Sequence, residues 1–371
     1  MNGTIPQCKS SLKSIMTIKK NVGTVSIILL ITMMMAGLAE LCAYVFTAKA
    51  QPEASSTPKD LPSLDPEQLE FFTEYQGTAN IPYKSHVGWQ SKEFHGRYIN
   101  ITGKGLRVTG SPVKSNTAHT IHFFGGSTMW GYGVRDDGAI PSLFTKRTGL
   151  NSINYAELAW TNRQSLNRLI SNLSEIQKGD SVVFYDGYND AVYGCYPGMV
   201  GAHAREQQIN DALSVTSYTP YGRHSLLFGL TAFVRETSIY ALYEQIKSRR
   251  VHQSDSHSDC TNHVTAEAVS DFIINNWRAA EQLVKSRGAN FYCILQPSSF
   301  FTERLNPKTT LHDIESITEV YPYIIRAGSN LSCFVDLSRL KIPKEHYFDI
   351  QAHLTREGNE IIAGTLAKTI E

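Results

Sequence analysis

The stretch IHFFGGSTMWG, residues 121–131, decides how this chain folds. An apolar run of strand length ends on Gly125 and Gly126, and the next residue is Ser127. A chain that leaves a sheet through paired glycines turns sharply and presents the following hydroxyl at the C-terminal edge of its strand. The nucleophile elbow G-x-S-x-G of α/β-hydrolases requires glycine at position 129, where Met129 stands. A serine in this setting is by itself more often a helix N-cap than a nucleophile. Its chemistry therefore depends on partners elsewhere in the chain.

Working outward, runs of strand length occur at 119–124 (HTIHFF), 151–156 (NSINYA), 181–185 (SVVFY), 290–295 (NFYCIL) and 332–336 (SCFVD). Segments of helical character separate them, notably 161–177 and 264–287. In the second, Val269, Phe272, Ile273, Trp277, Ala280 and Leu283 recur at spacings of three and four, and Gly288 supplies a stop signal. Strands that alternate with helices require crossover connections, hence a parallel sheet. The expectation is an α/β chain with a three-layer α/β/α domain over residues 115–371, in which ligands bind at the C-terminal ends of the strands.

Two more segments place polar side chains at strand ends. VVFYDGYNDA (182–191) closes a strand with a glycine and delivers Asn189, whose amide can donate to an oxyanion. FDIQAHLTREGNEIIA (348–363) presents His353 just ahead of Thr355, a cap for a closing helix. Together these blocks resemble the SGNH (GDSL-type) hydrolases: FFGGST with Ser127, NYAELAWTNRQSL (154–166), GYND (187–190) with Asn189, and HLTREGN (353–359) with His353. The region VGWQSKEF to GLRVT looks like membrane-anchored bacterial members of that family. The resemblance covers about 250 residues and implies a flavodoxin-like parallel sheet, Ser127 as nucleophile and His353 as base. It also implies an oxyanion hole made by the Asn189 amide with the backbone N–H groups of Ser127 and Ala159.

The sequence departs from the family pattern at two places. Ala159 stands where the family usually carries glycine, and its N–H remains a usable donor if φ there is negative. The family's acid precedes the histidine by three residues, where this chain has Ile350; Asp349 lies one residue further back. Either Asp349 holds the imidazole, or a Ser-His dyad leans on a backbone carbonyl.

The N-terminal part reads differently. Residues 22–39 (VGTVSIILLITMMMAGLA) carry no charge and the apolar character resumes as far as Ala48, enough to cross about 30 Å as a helix. Lys9, Lys13, Lys19 and Lys20 precede it without an acidic residue among them, which keeps residues 1–21 in the cytoplasm and places the rest in the periplasm or outside. A signal peptide cleaved after Ala50 is the competing reading. Residues 49–79 read as a linker, 80–114 as a small β extension before the main sheet, and 194–263 as an insertion too long for an ordinary connection. Within the insertion, 226–248 is apolar enough for an amphipathic helix, and VHQSDSHSDCTNH (251–263) reads as a solvated loop. Cys195 and Cys260 are free to pair in an oxidising compartment, whereas Cys293 and Cys333 read as buried small hydrophobes.

Composition sets limits on function. With 35 Lys and Arg against 34 Asp and Glu the formal charge is +1, too little to neutralise a run of phosphates, so nucleic acid is not an expected partner. No metal, nucleotide or redox cofactor is expected, since the chain has no C-x-x-C, G-x-x-x-x-G-K-[ST] or H-E-x-x-H. The expected function is a single-pass, membrane-anchored serine esterase acting on a cell-envelope glycan or a small ester. The alternatives are an O-acyltransferase that modifies an exopolysaccharide with assembly partners, and a catalytically silent glycan-binding protein that keeps the fold.

Overall fold

The computed structural model describes residues 30–45, 66–78, 81–110, 119–210, 237–240, 242–243, 257–299, 311–349 and 352–370. The chain divides into two units, Met1–Ala54 with Ser217–Ser254, and Ser55–Thr216 with Asp255–Glu371.

In the first unit, helix α1 spans residues 30–45 and leaves Leu30, Met33, Met34, Met35, Leu38 and Leu41 exposed. The Glu40 carboxylate accepts the backbone N–H groups of Ser238 and Ile239. Among the described residues no helix is long and apolar enough to cross a membrane. Residues 22–29 and 46–48 of the expected anchor lie outside the described residues.

The second unit is built on a parallel sheet. Its strands are β5 (Thr120–Gly125), β6 (Asn151–Asn154), β7 (Ser181–Asp186), β8 (Asn290–Leu295) and β9 (Phe334–Asp336), in the spatial order β6-β5-β7-β8-β9. Every neighbouring pair in this sheet is parallel. Counted from β5, this is the flavodoxin-like order 2-1-3-4-5, whose strand order reverses between β5 and β7. Alternate side chains of each strand enter opposite cores. Phe124, Val182, Phe184, Cys293 and Leu295 pack into one, and Ile121, Phe123, Val183, Tyr185 and Ile294 into the other. A sheet buried on both faces explains why these strands read as continuous apolar runs rather than alternating ones.

Helices α5 (Asn162–Ser171), α6 (Tyr188–Gly194), α7 (His263–Ser286) and α8 (Leu311–Gly328) contribute to the first core. Helices α4 (Ile140–Thr148) and α9 (Arg356–Ile370) contribute to the second. The one-turn helix α3 (Ser127–Trp130) follows β5 directly.

Structure and sequence differ on the chain ahead of the sheet. The expected linker to residue 79 ends early, because α2 (Pro66–Tyr75) is folded, with Phe71 and Phe72 fully buried. Each such phenyl contributes roughly 1.5–3 kcal/mol by leaving water, more than a solvated linker can forgo. The segment read as a β extension forms short antiparallel pairs, β1 (Tyr83–Lys84) with β2 (Gly88–Trp89) and β3 (Phe94–His95) with β4 (Asn100–Ile101). It also joins the sheet edge through an antiparallel bridge from Arg107 to Asn154.

Arg107 is buried and spreads its guanidinium over the loop that follows α3. It pairs with Asp136 at 2.9 Å, donates to the carbonyls of Trp130, Gly131 and Val134, and lies 4.3 Å from the Trp130 ring centroid. A buried cation is tolerated because its donors all find acceptors.

Cys195 and Cys260 form a disulfide that closes the neck of the insertion. Residues 211–236, 241 and 244–256 of that insertion, including most of the expected helix 226–248 and the first part of the 251–263 loop, lie outside the described residues. Cys293 and Cys333 are buried with their sulfurs 2.6 Å apart. Because the Cys195–Cys260 bond closes a long loop, the Cys195→Ser, Cys260→Ser double variant is expected to lose about 4 kcal/mol in the chain-entropy account, read as a lower midpoint in urea unfolding.

Candidate functional site

Three chain segments converge at the C-terminal edge of the sheet where its strand order reverses. From β5 the chain passes Gly125 and Gly126 into α3, whose first residue is Ser127. From β7 it passes Gly187, at φ 120°, into α6, which carries Asn189 in its first turn. From β6 it runs through Glu157, Leu158, Ala159 and Trp160 into α5. Gly126 is where they meet: a Cβ there would lie 2.6 Å from Asn189 Nδ2 and 3.1 Å from the Trp160 carbonyl. No side chain fits.

His353 arrives from the loop before α9. Its Nε2 is 2.6 Å from Ser127 Oγ, and its Nδ1 meets Asp349 Oδ2. The other Asp349 oxygen accepts the His353 backbone N–H at 3.2 Å. Asp349 thus reaches the imidazole from four residues back, with no need of an acid at Ile350, which lies outside the described residues. Serine, imidazole and carboxylate form one hydrogen-bonded chain. In it His353 Nδ1–H donates to the carboxylate, which leaves Nε2 as the acceptor for the Ser127 hydroxyl.

Two aromatic rings hold the imidazole from the sides. Phe348 lies 5.7 Å away, nearly parallel, and Tyr132 lies 4.8 Å away, tilted. Phe72 of α2 packs against both rings, at 5.4 and 6.0 Å. Burial pushes the Tyr132 phenol well above its ordinary range, so it stays neutral beside the imidazole. The Thr128 hydroxyl donates to the Ala352 carbonyl, tying the histidine loop to α3.

The donors expected for an oxyanion lie on the facing side. Asn189 Nδ2 gives one hydrogen to the Trp160 carbonyl at 2.8 Å, which orients the amide and leaves its second hydrogen for a ligand. The backbone N–H groups of Ser127 and Ala159 donate to no described protein acceptor. Ala159 differs from expectation in its backbone: φ is +57°, in the left-handed region, not negative. Its peptide holds the shape glycine adopts freely, at a steric cost of about 1–2 kcal/mol.

That strained loop is braced by groups whose role the sequence did not disclose. Glu157, buried, accepts the Ser91 N–H at 2.6 Å, the Ser91 hydroxyl at 2.9 Å and the Leu158 N–H at 2.9 Å. Burial pushes its carboxyl up. Trp89 Nε1 donates to the Leu158 carbonyl and Trp160 Nε1 to the Trp89 carbonyl. The β1–β2 hairpin is therefore the outer wall of the loop that carries Ala159. The only signal available in the sequence was the density of aromatic and polar residues in HVGWQS (86–91), which names no partner.

A recess of about 310 Å³ lined by Thr109, Thr120, Thr145, Asn151 and Ser152 sits at the opposite edge of the sheet, where β5 and β6 begin. No residue of the site described above lines it. Among the described residues no cluster of His, Cys, Asp and Glu is arranged to hold a metal ion.

No protein-family profile and no curated protein matches this chain. It is similar to solved structures that include the M. smegmatis aryl esterase, at 13% identity over 68% of this chain and 98% of that one with a TM-score of 0.39. A lipase from a goat rumen metagenome gives 11% identity over 68% and 97%, with a TM-score of 0.38. A member of the lipolytic G-D-S-L family from Veillonella parvula gives 12% over 68% and 97%, with a TM-score of 0.35.

Replacing Ala159 by glycine removes the Cβ clash while keeping the N–H, so Ala159→Gly is expected to gain up to about 1 kcal/mol. Calorimetry should show this as a melting temperature raised by about 2–4 °C. A second expectation concerns Asp186 and Asp190, which lie behind Asn189 and are both buried. Burial pushes both carboxyls up, and the charge on Asp190 adds to the effect at Asp186. The folded chain then holds protons that unfolded aspartates, ionising near about 4, have released. This pair's contribution is fully present below that value and is lost as pH rises through the raised pKa values. Urea midpoints measured from pH 5 to 9 should fall, with a smaller fall in Asp186→Asn.

Proposed function

We propose that this chain is a serine esterase of the SGNH type, in which Ser127, His353 and Asp349 form the acyl-transfer triad. The observation that carries the reading is the continuous Ser127–His353–Asp349 hydrogen-bonded chain, in which Ser127 lies 226 positions from the histidine it meets. Ser127 Oγ attacks an ester carbonyl while His353 Nε2 takes its proton; Asp349 stabilises the imidazolium that forms. The oxyanion is met by the free hydrogen of the Asn189 amide and by the N–H groups of Ser127 and Ala159. The imidazolium returns its proton to the departing alkoxide. Water, activated by the same imidazole, then hydrolyses the acyl-serine.

Residues 22–48 tether the enzyme to a membrane, with residues 1–21 in the cytoplasm and the catalytic unit in the periplasm or outside the cell. What supports this is the uncharged run at 22–39, the exposed apolar side chains of α1 and the Cys195–Cys260 bond, since disulfides persist in oxidising compartments. The substrate class that follows from such a position is an acylated envelope glycan or a small ester. A sugar hydroxyl in place of water at the second step would make the same site an O-acyltransferase.

The test compares the full chain with Ser127→Ala in detergent, by fluorophosphonate labelling and hydrolysis of p-nitrophenyl acetate. The expected result is labelling of the wild type alone and a rate reduced at least about 10³-fold in the variant. Asp349→Asn is expected to lower kcat by about 10²–10⁴-fold, whereas a Ser-His dyad would leave it nearly unchanged. Adding oligosaccharide acceptors then separates transfer from hydrolysis. A folded wild type that takes no label would sink the reading and favour a silent glycan-binding role.

A further inference from the structure

Beneath the oxyanion donors lies a polar cluster that the acyl-transfer scheme leaves unused. Asp186 ends β7 and Asp190 sits in the first turn of α6, and both are buried. Asn162, the first residue of α5 and fully buried, bonds to both acids. Its backbone N–H donates to Asp190 Oδ1 at 2.8 Å and its Nδ2 donates to Asp186 Oδ2 at 2.8 Å. Asp190 Oδ2 also accepts the Gly187 N–H at 3.3 Å. Asp186 takes further donors from Trp277 Nε1 at 3.2 Å and Ser165 Oγ at 3.4 Å.

These bonds close a ring. Asn189 and Asp190 are neighbours on one side; Trp160 and Asn162, two apart, are on the other. The Asn189 amide bonds to the Trp160 carbonyl and the Asp190 carboxyl bonds to the Asn162 N–H, each at 2.8 Å. One bond alone would leave the Asn189 side chain free to swing about the Trp160 oxygen. Two bonds fix the α6 turn against the loop in both position and rotation. Ala159, the other backbone donor on that loop, immediately precedes Trp160, so the same ring sets its distance from the Asn189 amide.

We propose that Asp190, tied through Asn162 to Asp186, is a positioning residue that holds the Asn189 amide and the Ala159 N–H in register for the tetrahedral intermediate. This deepens the esterase reading and rests on it. Asp190 touches no reacting atom and acts through Asn189. Holding donors at the place where charge develops matters more to the transition state than to the bound ester. Its loss therefore shows in kcat and in affinity for tetrahedral analogues, with KM little changed.

The experiment is a double-mutant cycle on the full chain, with wild type, Asn189→Ala, Asp190→Asn and the double variant. Hydrolysis of p-nitrophenyl acetate and inhibition by phenylboronic acid are measured in each, and folding is checked by circular dichroism. Asp190→Asn is expected to lower kcat about 10–100-fold and to raise the phenylboronate Ki in parallel, with KM within about threefold. In the Asn189→Ala background the same substitution is expected to cost under about threefold, because the group it positions is gone. A drop of equal size in both backgrounds, or one confined to KM, would overturn the proposal. If Asp190→Asn does not fold, Asn162→Ala, which cuts the tie to Asp186 and keeps the N–H to Asp190, enters the same cycle with the same criterion. A wild type that takes no fluorophosphonate label overturns the esterase reading together with this one. A labelled wild type with additive variants overturns the clamp alone.

Discussion

The absence of a side chain at Gly126 is the constraint around which the site is arranged. A Cβ there would lie 2.6 Å from the Asn189 amide nitrogen and 3.1 Å from the Trp160 oxygen, so it would push the amide out of place. With no side chain in that gap, the loop that carries Ala159 hydrogen-bonds both to the strand that leads to the serine, from the Glu157 N–H to the Gly125 carbonyl, and to the turn that carries the asparagine, through the Trp160 carbonyl. A parallel sheet with its strand order reversed between β5 and β7 supplies the crevice for this approach. Gly126 sets how narrow the crevice is. Helix α3 begins at the next residue, and its Ser127 hydroxyl lies 2.6 Å from His353 Nε2.

Around this contact the protein uses buried polar groups where a simpler domain would use apolar packing. Arg107 gathers the carbonyls of the loop after α3, Glu157 gathers donors from Ser91 and Leu158, and Asn162 links two carboxyls behind Asn189. Each group is costly to bury and is tolerated because its bonds are made. The return on that cost is directional: a loop held by several hydrogen bonds of fixed geometry keeps a backbone such as that of Ala159 in a conformation it would otherwise leave. The strain at Ala159 is consistent with this, since positive φ in a residue with a Cβ persists only where its surroundings over-determine it.

The aromatic wall about the histidine ties the loop that carries His353 to the chain that precedes the sheet. Phe72 of α2 packs against Tyr132 and Phe348, the two rings that flank His353. A segment read from its neighbours as linker is therefore continuous with the core of the site. Its apolar pair Phe71-Phe72 gave too short a pattern to outweigh the Pro- and Ser-rich stretch before it.

Strand positions, their parallel order and the polar residues at their ends were legible in the chain because each is a local property. Apolar runs of five or six residues, glycines at their C-termini and helical spacing between them need no knowledge of distant partners. Ser127, Asn189 and His353 could be singled out on that basis, and Asp349 only as one of two candidates. The tertiary structure decided what depends on how the folded segments pack and meet. It placed Asp349 rather than a backbone carbonyl on His353, put Ala159 in the left-handed region, joined Cys195 to Cys260, and set Ser91, Asn162, Asp190 and Phe72 behind the site. None of those side chains differs in type or spacing from an ordinary surface or core residue. What distinguishes them is the partner each meets in the fold, whether four residues along the chain, as for Asp349 and His353, or far along it, as for Phe72 and Phe348, and that meeting is fixed by packing rather than by any one stretch of sequence.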